Sequence, residues 1–156
     1  MIRPGGRNDQ RFLRDMLRHA YYWRERMPRG DIDAPVYRYV MNWGRPGDAA
    51  VIALDDDNRV GAAWYRLFKR DEPGYGFVDE QTPELSIAVV PSRRGKGFGD
   101  QLLRALLDEA KRGGFSQISL SVEPDNPALR LYERFGFEKV GESNGSWVML
   151  TRLASA

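Results

Sequence analysis

Apolar residues at Phe12, Leu13, Met16, Leu17, Ala20 and Tyr21 recur every three or four positions. That period predicts a half-buried helix, with Asn8 or Asp9 placed to cap it. Residues 1–4 precede it as a first strand. Residues 35–43 read as a second, short helix, stopped by Gly44-Arg45-Pro46-Gly47. From there the period shortens to two. Residues 49–54 and 60–68 form a hairpin around an acidic turn, Asp55-Asp56-Asp57. A polar loop over 69–83 leads to an apolar strand at 84–90. A helix follows over 100–112, ended by Gly113-Gly114. Residues 117–122 make another strand. Asn126 and Pro127 open a helix that runs to about Phe135 and stops at Gly136. Two last strands, 137–142 and 146–152, meet at Asn144-Gly145, a tight-turn pair. Between strands 84–90 and 117–122 lies a helical crossover, so these two are expected to be parallel. The predicted class is α/β: a three-layer α/β/α sandwich on a mixed, mostly antiparallel sheet, folded as a single domain over 1–156.

The chemistry concentrates between strand 84–90 and the helix after it. Arg94-Gly95-Lys96-Gly97-Phe98-Gly99 is a basic, glycine-rich turn that opens a helix. The first N–H groups of a helix have no partner inside it, and the helix dipole places positive potential behind them. Glycine lets a ligand approach the backbone closely. The turn therefore suits phosphate oxygens, with Arg93, Arg94 and Lys96 adding charge. It is not a P-loop, since no Lys-Ser or Lys-Thr closes it. Its position past mid-chain and its Arg-x-x-Gly-x-Gly spacing also differ from a dinucleotide-binding turn.

Composition removes other classes. The chain of 156 residues has no cysteine and one histidine, His19. Disulfides, thiol nucleophiles and thiolate metal sites are excluded, and a lone histidine argues against a His-based metal site or a Ser-His triad. The acidic turn lacks the ligands and glycine of a calcium loop, so no metal is expected. A formal net charge of +2 gives no broad surface for nucleic acid. No apolar run reaches the roughly 18 residues that cross a membrane, and no secretory leader is visible. A soluble, cytoplasmic protein is the expectation.

With its neighbours, the glycine turn resembles the GCN5-related N-acetyltransferase (GNAT) family, whose signature is Q/R-x-x-G-x-G/A. Ile87-Ala88-Val89-Val90-Pro91 before the turn is similar to that family, and so is Asn126-Pro127-Ala128-Leu129-Arg130-Leu131-Tyr132-Glu133-Arg134-Phe135-Gly136-Phe137. The resemblance implies acetyl-CoA as acyl donor. Its pyrophosphate would lie on the amides of Lys96, Gly97, Phe98, Gly99, Asp100 and Gln101, with Arg94 opening the signature. Its pantetheine arm would lie along Ala88, Val89 and Val90, where the fourth strand splays from the fifth, within reach of Asn126. The resemblance also implies Tyr132 as general acid and Glu84 as general base. Read from the residues alone, Tyr132 fits a core aromatic, Glu84 an exposed strand-edge glutamate, and Asn126 a helix cap.

Acyl transfer to an amine needs a neutral amine, a polarised carbonyl and a protonated leaving thiol. Without cysteine, direct attack in a ternary complex is expected. A backbone N–H at or near Val89 is placed to polarise the carbonyl. A phenol, with a pKa of about 10, suits protonation of a thiolate whose acid has a pKa of about 8.5. By resemblance, Tyr21, Tyr22, Trp23, Asp31, Asp33, Trp43, Tyr75, Phe77 and Trp147 fall in regions that shape the acceptor pocket. The expected acceptor is a primary amine, a small molecule ahead of a peptide or protein amine. The family also suggests a homodimer. Alternatives at this level are a non-catalytic acyl-CoA-binding module and a nucleotide-binding enzyme.

Overall fold

The computed structural model describes residues 1–21 and 34–153, with the side chains of Tyr21, Ala34 and Pro35 excluded. Its strands are β1 (Ile2–Pro4), β2 (Ala49–Asp55), β3 (Asn58–Arg66), β4 (Glu84–Val89), β5 (Gln117–Val122), β6 (Glu138–Ser143) and β7 (Ser146–Arg152). Its helices are α1 (Gln10–Tyr21), α2 (Ala34–Tyr37), α3 (Phe98–Arg112) and α4 (Leu129–Arg134). They build one seven-stranded sheet in the order β1-β2-β3-β4-β5-β7-β6. Only the β4–β5 pair is parallel, as the helical crossover requires.

Alternation along the strands sorts side chains into two cores. Val51, Ala53, Ala63 and Tyr65 face α3, whose Leu102, Leu103 and Leu106 are fully buried. Ala50, Ile52, Ala62 and Trp64 face the other way, onto Phe12, Leu13, Met16 and Leu17 of α1 and Val36, Tyr39 and Val40 around α2. Each fully buried aliphatic side chain contributes about 1.5–3 kcal/mol, so the two layers clamp the sheet from both sides. The α/β/α sandwich is as expected.

Four elements differ from the sequence reading. The helix expected over 100–112 begins two residues earlier, at Phe98. The helix expected over 35–43 is regular only over Ala34–Tyr37. Beyond it the Arg66 guanidinium takes the carbonyls of Arg38 and Met41 (2.9 and 2.6 Å), and Asn42 turns to φ 54°. Arg66 is itself buried and paired with Asp48 at 2.8 Å. The helix expected from Pro127 starts at Leu129, because the Asn126 side chain first accepts the Ala128 N–H in a local turn (2.9 Å). The hairpin strand expected over 60–68 lies at Asn58–Arg66. The β6–β7 turn is as predicted, with Asn144 and Gly145 at φ 50° and 83°.

Candidate active site

β4 and β5 share a single register pair, Glu84 with Ser119. Beyond it no ladder joins them, and the sheet opens in a V. On its other edge β4 stays paired with β3 from Glu84 to Val89, and Val90 N–H bonds the Val60 carbonyl at 2.8 Å. In an antiparallel ladder successive residues turn alternately toward the partner and away. Val90 faces β3, so Val89 and Ile87 present their N–H and C=O groups to the gap. Arg94 reaches back along that edge, its Nε donating to the Val89 carbonyl at 3.1 Å.

Past Val89 the chain makes a 3₁₀ turn, Pro91–Arg93, and then the glycine turn. Gly95 and Gly97 sit at φ 76° and 87°, where a side chain is strained. A Cβ on either would meet nothing within 4 Å, so glycine is there for backbone shape and open space, not for packing. The first intrahelical bond of α3 runs from Gln101 N–H to the Gly97 carbonyl at 3.2 Å. The N–H groups of Phe98, Gly99 and Asp100 precede it and lack an acceptor within the helix.

The gap and the turn belong to one cleft of about 860 Å³. Of the residues expected to hold coenzyme, Ala88, Val89, Arg94, Gly97, Phe98, Gly99, Asp100 and Asn126 line it, and so does Tyr132. Lys96, Gln101 and Val90 do not. The Gln101 and Val90 amides are bonded to the carbonyls of Gly97 and Val60. Lys96 is exposed and stands outside the residues that line the cleft.

Tyr132 is 7% exposed, and its ring packs edge-on against Phe137 at 6.0 Å. Among the described residues its hydroxyl has no hydrogen-bond partner. Burial raises its pKa, so the phenol keeps its proton.

Glu84, expected as an exposed strand-edge glutamate or as a base, lies outside the cleft lining. It is 2% exposed and enclosed by the loop before β4. Tyr39 Oη donates to one carboxyl oxygen and Gly76 N–H to the other (3.0 Å). Burial pushes its pKa from 4.5 to about 8, against the opposing pull of the Tyr39 hydroxyl, the Gly76 amide and Arg38.

Of the aromatics expected around the acceptor, Tyr75 lines the cleft. Trp43 lies under Arg66, Phe77 under Arg70 and Trp147 under Lys139, all away from it. Tyr22, Trp23, Asp31 and Asp33, and the side chain of Tyr21, lie outside the described residues. Sequence reasoning missed His19, Arg134, Glu123, Asn144 and Ser146, which line the cleft as well. His19 stands in the last turn of α1, and its pKa is lowered mainly by burial and next by the charge of Arg94. Arg134 pairs with Asp100 at 2.6 Å, joining α4 to the start of α3. A cationic residue two places after the motif tyrosine was the available signal for Arg134; nothing local marked the others.

The residues fit a long, phosphate-bearing acyl-CoA. One cleft offers open glycine backbone, helix amides with no acceptor inside the helix, the edge of β4 that no strand pairs, and a buried phenol. Among the described residues there is no cluster of His, Asp and Glu able to hold a metal, and no helix long and apolar enough to cross a membrane.

Comparison with known proteins places the chain. It is 39% identical over 115 residues to an L-methionine sulfoximine/L-methionine sulfone acetyltransferase of Pseudomonas aeruginosa, covering 69% of this chain and 64% of the relative. It is 38% identical over 92 residues to a mycothiol acetyltransferase of Brachybacterium faecium, covering 58% of this chain and 26% of the relative. The chain thus spans less than two thirds of the length of these relatives. A ribosomal-protein-alanine N-acetyltransferase of Brucella melitensis superposes with a TM-score of 0.71 at 26% identity, over 98% of this chain and 99% of that one. A Salmonella typhimurium protein solved with acetyl-CoA shares the fold, with a TM-score of 0.71 at 23% identity over 100% and 95% of the two chains. The model of the acetyltransferase (GNAT) family matches residues 12–137, a stretch that holds the splayed strands, the glycine turn and Tyr132, and the chain belongs to that family.

Proposed function

We propose that this chain transfers the acetyl group of acetyl-CoA to a primary amine by direct attack in a ternary complex, with a small molecule as acceptor. The observation that carries this reading is the single Glu84–Ser119 pair between β4 and β5. It leaves the Val89 backbone and the Tyr132 hydroxyl on one cleft with the helix amides of the glycine turn. When bound, acetyl-CoA supplies an activated thioester. The unpaired amides of Phe98, Gly99 and Asp100 and the charge of Arg94 hold its phosphates. The unpaired edge of β4 aligns the arm as an added strand would. Val89 N–H donates to the thioester oxygen and stabilises the negative charge that grows there.

The acceptor enters beside His19 and Tyr75 and must arrive as the free amine. Its proton leaves through water in the cleft, because the Glu84 carboxyl is enclosed and out of contact with it. The bond from nitrogen to the acetyl carbon forms as the carbon–sulfur bond breaks. Tyr132 gives its proton to the departing sulfur and recovers one from solvent. The relatives named for methionine sulfoximine and mycothiol support a small acceptor over a protein, and a free acetyl-CoA pool as donor supports the cytoplasm as location.

The test is thiol release from acetyl-CoA, followed with a thiol-reactive dye across amino acids, amino sugars, polyamines and short peptides. The absence of cysteine removes any protein background. Release with a small-amine class is expected. Release with peptides alone would overturn the choice of acceptor. Tight CoA binding without release for any amine would favour a binding module.

A further inference from the structure

The vertex of the gap is held by a cluster of buried polar groups that the reaction above does not use. Glu84 and Ser119 form the single register pair of β4 and β5, and their side chains hold one glycine between them. Gly76 donates its N–H to the Glu84 carboxyl at 3.0 Å, and its carbonyl accepts the Ser119 hydroxyl at 2.7 Å. Tyr39, 1% exposed, donates its hydroxyl to the other Glu84 oxygen and accepts the N–H of Tyr75 at 2.7 Å.

The fit is close. A Cβ on Gly76 would lie 2.5 Å from the Leu120 backbone, and one on Gly74 would collide with Glu84 and the Tyr39 hydroxyl. Phe77 N–H closes the turn onto the Gly74 carbonyl at 3.3 Å. The segment from Gly74 to Phe77 is thus pinned to β4 from one side and β5 from the other, and the residue it sends into the cleft is Tyr75.

We propose that Glu84 and Tyr39 are positioning residues that act through Tyr75. They lock the turn across the vertex of the β4–β5 gap so that Tyr75 forms a fixed wall of the acceptor pocket and determines which amines fit. The proposal rests on the acetyltransferase reading and gives Glu84 a task other than proton abstraction. Buried polar groups that are fully hydrogen-bonded rigidify what they hold, and misplacing a pocket wall by about 1 Å costs up to about a hundredfold in rate.

The test is a double-mutant cycle on the full chain, using whichever amine gives the highest turnover. Tyr39→Phe and Tyr75→Ala are each expected to raise the KM for the amine by about tenfold, with kcat and the KM for acetyl-CoA within about twofold of wild type. The double variant is expected to be no worse than Tyr75→Ala, because Tyr39 acts through Tyr75. Glu84→Gln should raise the amine KM in the same way and leave the pH dependence of kcat unchanged. Additive effects of Tyr39→Phe and Tyr75→Ala would overturn the proposal. So would a loss of kcat in Glu84→Gln with a displaced pH profile, which would restore the base role.

Amide hydrogen exchange at Tyr75 and Gly76 gives a readout that does not need turnover. Protection is expected in the wild type and lost in Tyr39→Phe, while the amides of β3 stay protected. Unchanged protection in that variant would sink the clamp even in an active enzyme. A clamp confirmed by exchange in a protein that acetylates nothing would instead sink the acetyltransferase reading, and with it the role of Tyr75 toward amines.

Discussion

Glu84 shows how one residue's neighbours can reverse its expected role. A carboxyl at the start of a strand is ordinarily ionised and available to solvent. Here the enclosing loop raises its pKa to about 8. In the unfolded chain it ionises near 4.5, so between these values the native state holds a proton that the unfolded state has released. The stabilising contribution is therefore complete below about pH 4.5, falls as pH rises, and is lost above about 8. Urea unfolding of the wild type and of Glu84→Gln, followed across this range, should show wild-type stability declining against the variant. Parallel curves would mean that the carboxyl is not enclosed as described. Asp9 works in the opposite sense. Arg3 donates to it at 2.8 and 2.9 Å and holds its pKa at about 2, so its contribution is present at neutral pH and lost in strong acid.

At the scale of elements, the strand–glycine turn–helix unit is the part of the site that local pattern specifies. Gly97 combines φ 87° with empty space where a Cβ would stand. Gly97→Ala is expected to destabilise the fold by about 1–2 kcal/mol, the cost of a left-handed alanine. It should also weaken CoA binding by about tenfold, because the methyl occupies the approach to the amides. Calorimetry with CoA checks this, and unchanged affinity would place the phosphates elsewhere. The turn, α3 and the Asn144-Gly145 hairpin were legible because their signals are local: apolar period, and glycine and asparagine at turns. The length of α2 was not, because Arg66, more than twenty residues on, takes the carbonyls that would have continued it. Nor was the choice between Val89 and Val90. Side chains of like kind alternate there, and only the pairing with Val60 shows which amide faces the gap. The enclosure of Glu84 depends on Tyr39 and Gly76 together, a contact that no spacing along the chain announces.

Across the whole molecule, the two helical layers hold a sheet that is continuous everywhere except between β4 and β5. That interruption makes the cleft. α3 and its leucines anchor one face and α1 the other, so the strands can part at the gap without loss of the core. The vertex, the glycine turn and Tyr132 come from three separate stretches of sequence and meet only because the β4-α3-β5 crossover brings them to one side. Acetyl transfer in this cleft, with Tyr132 as the acid, is the function we propose. The most direct measurement is turnover of Tyr132→Phe beside its CoA affinity by calorimetry, with the best amine found. A kcat lower by about a hundredfold or more is expected, with CoA affinity within about twofold of wild type. Wild-type turnover in Tyr132→Phe would contradict it, and the proton for the leaving thiol would then have to come from another group on the cleft.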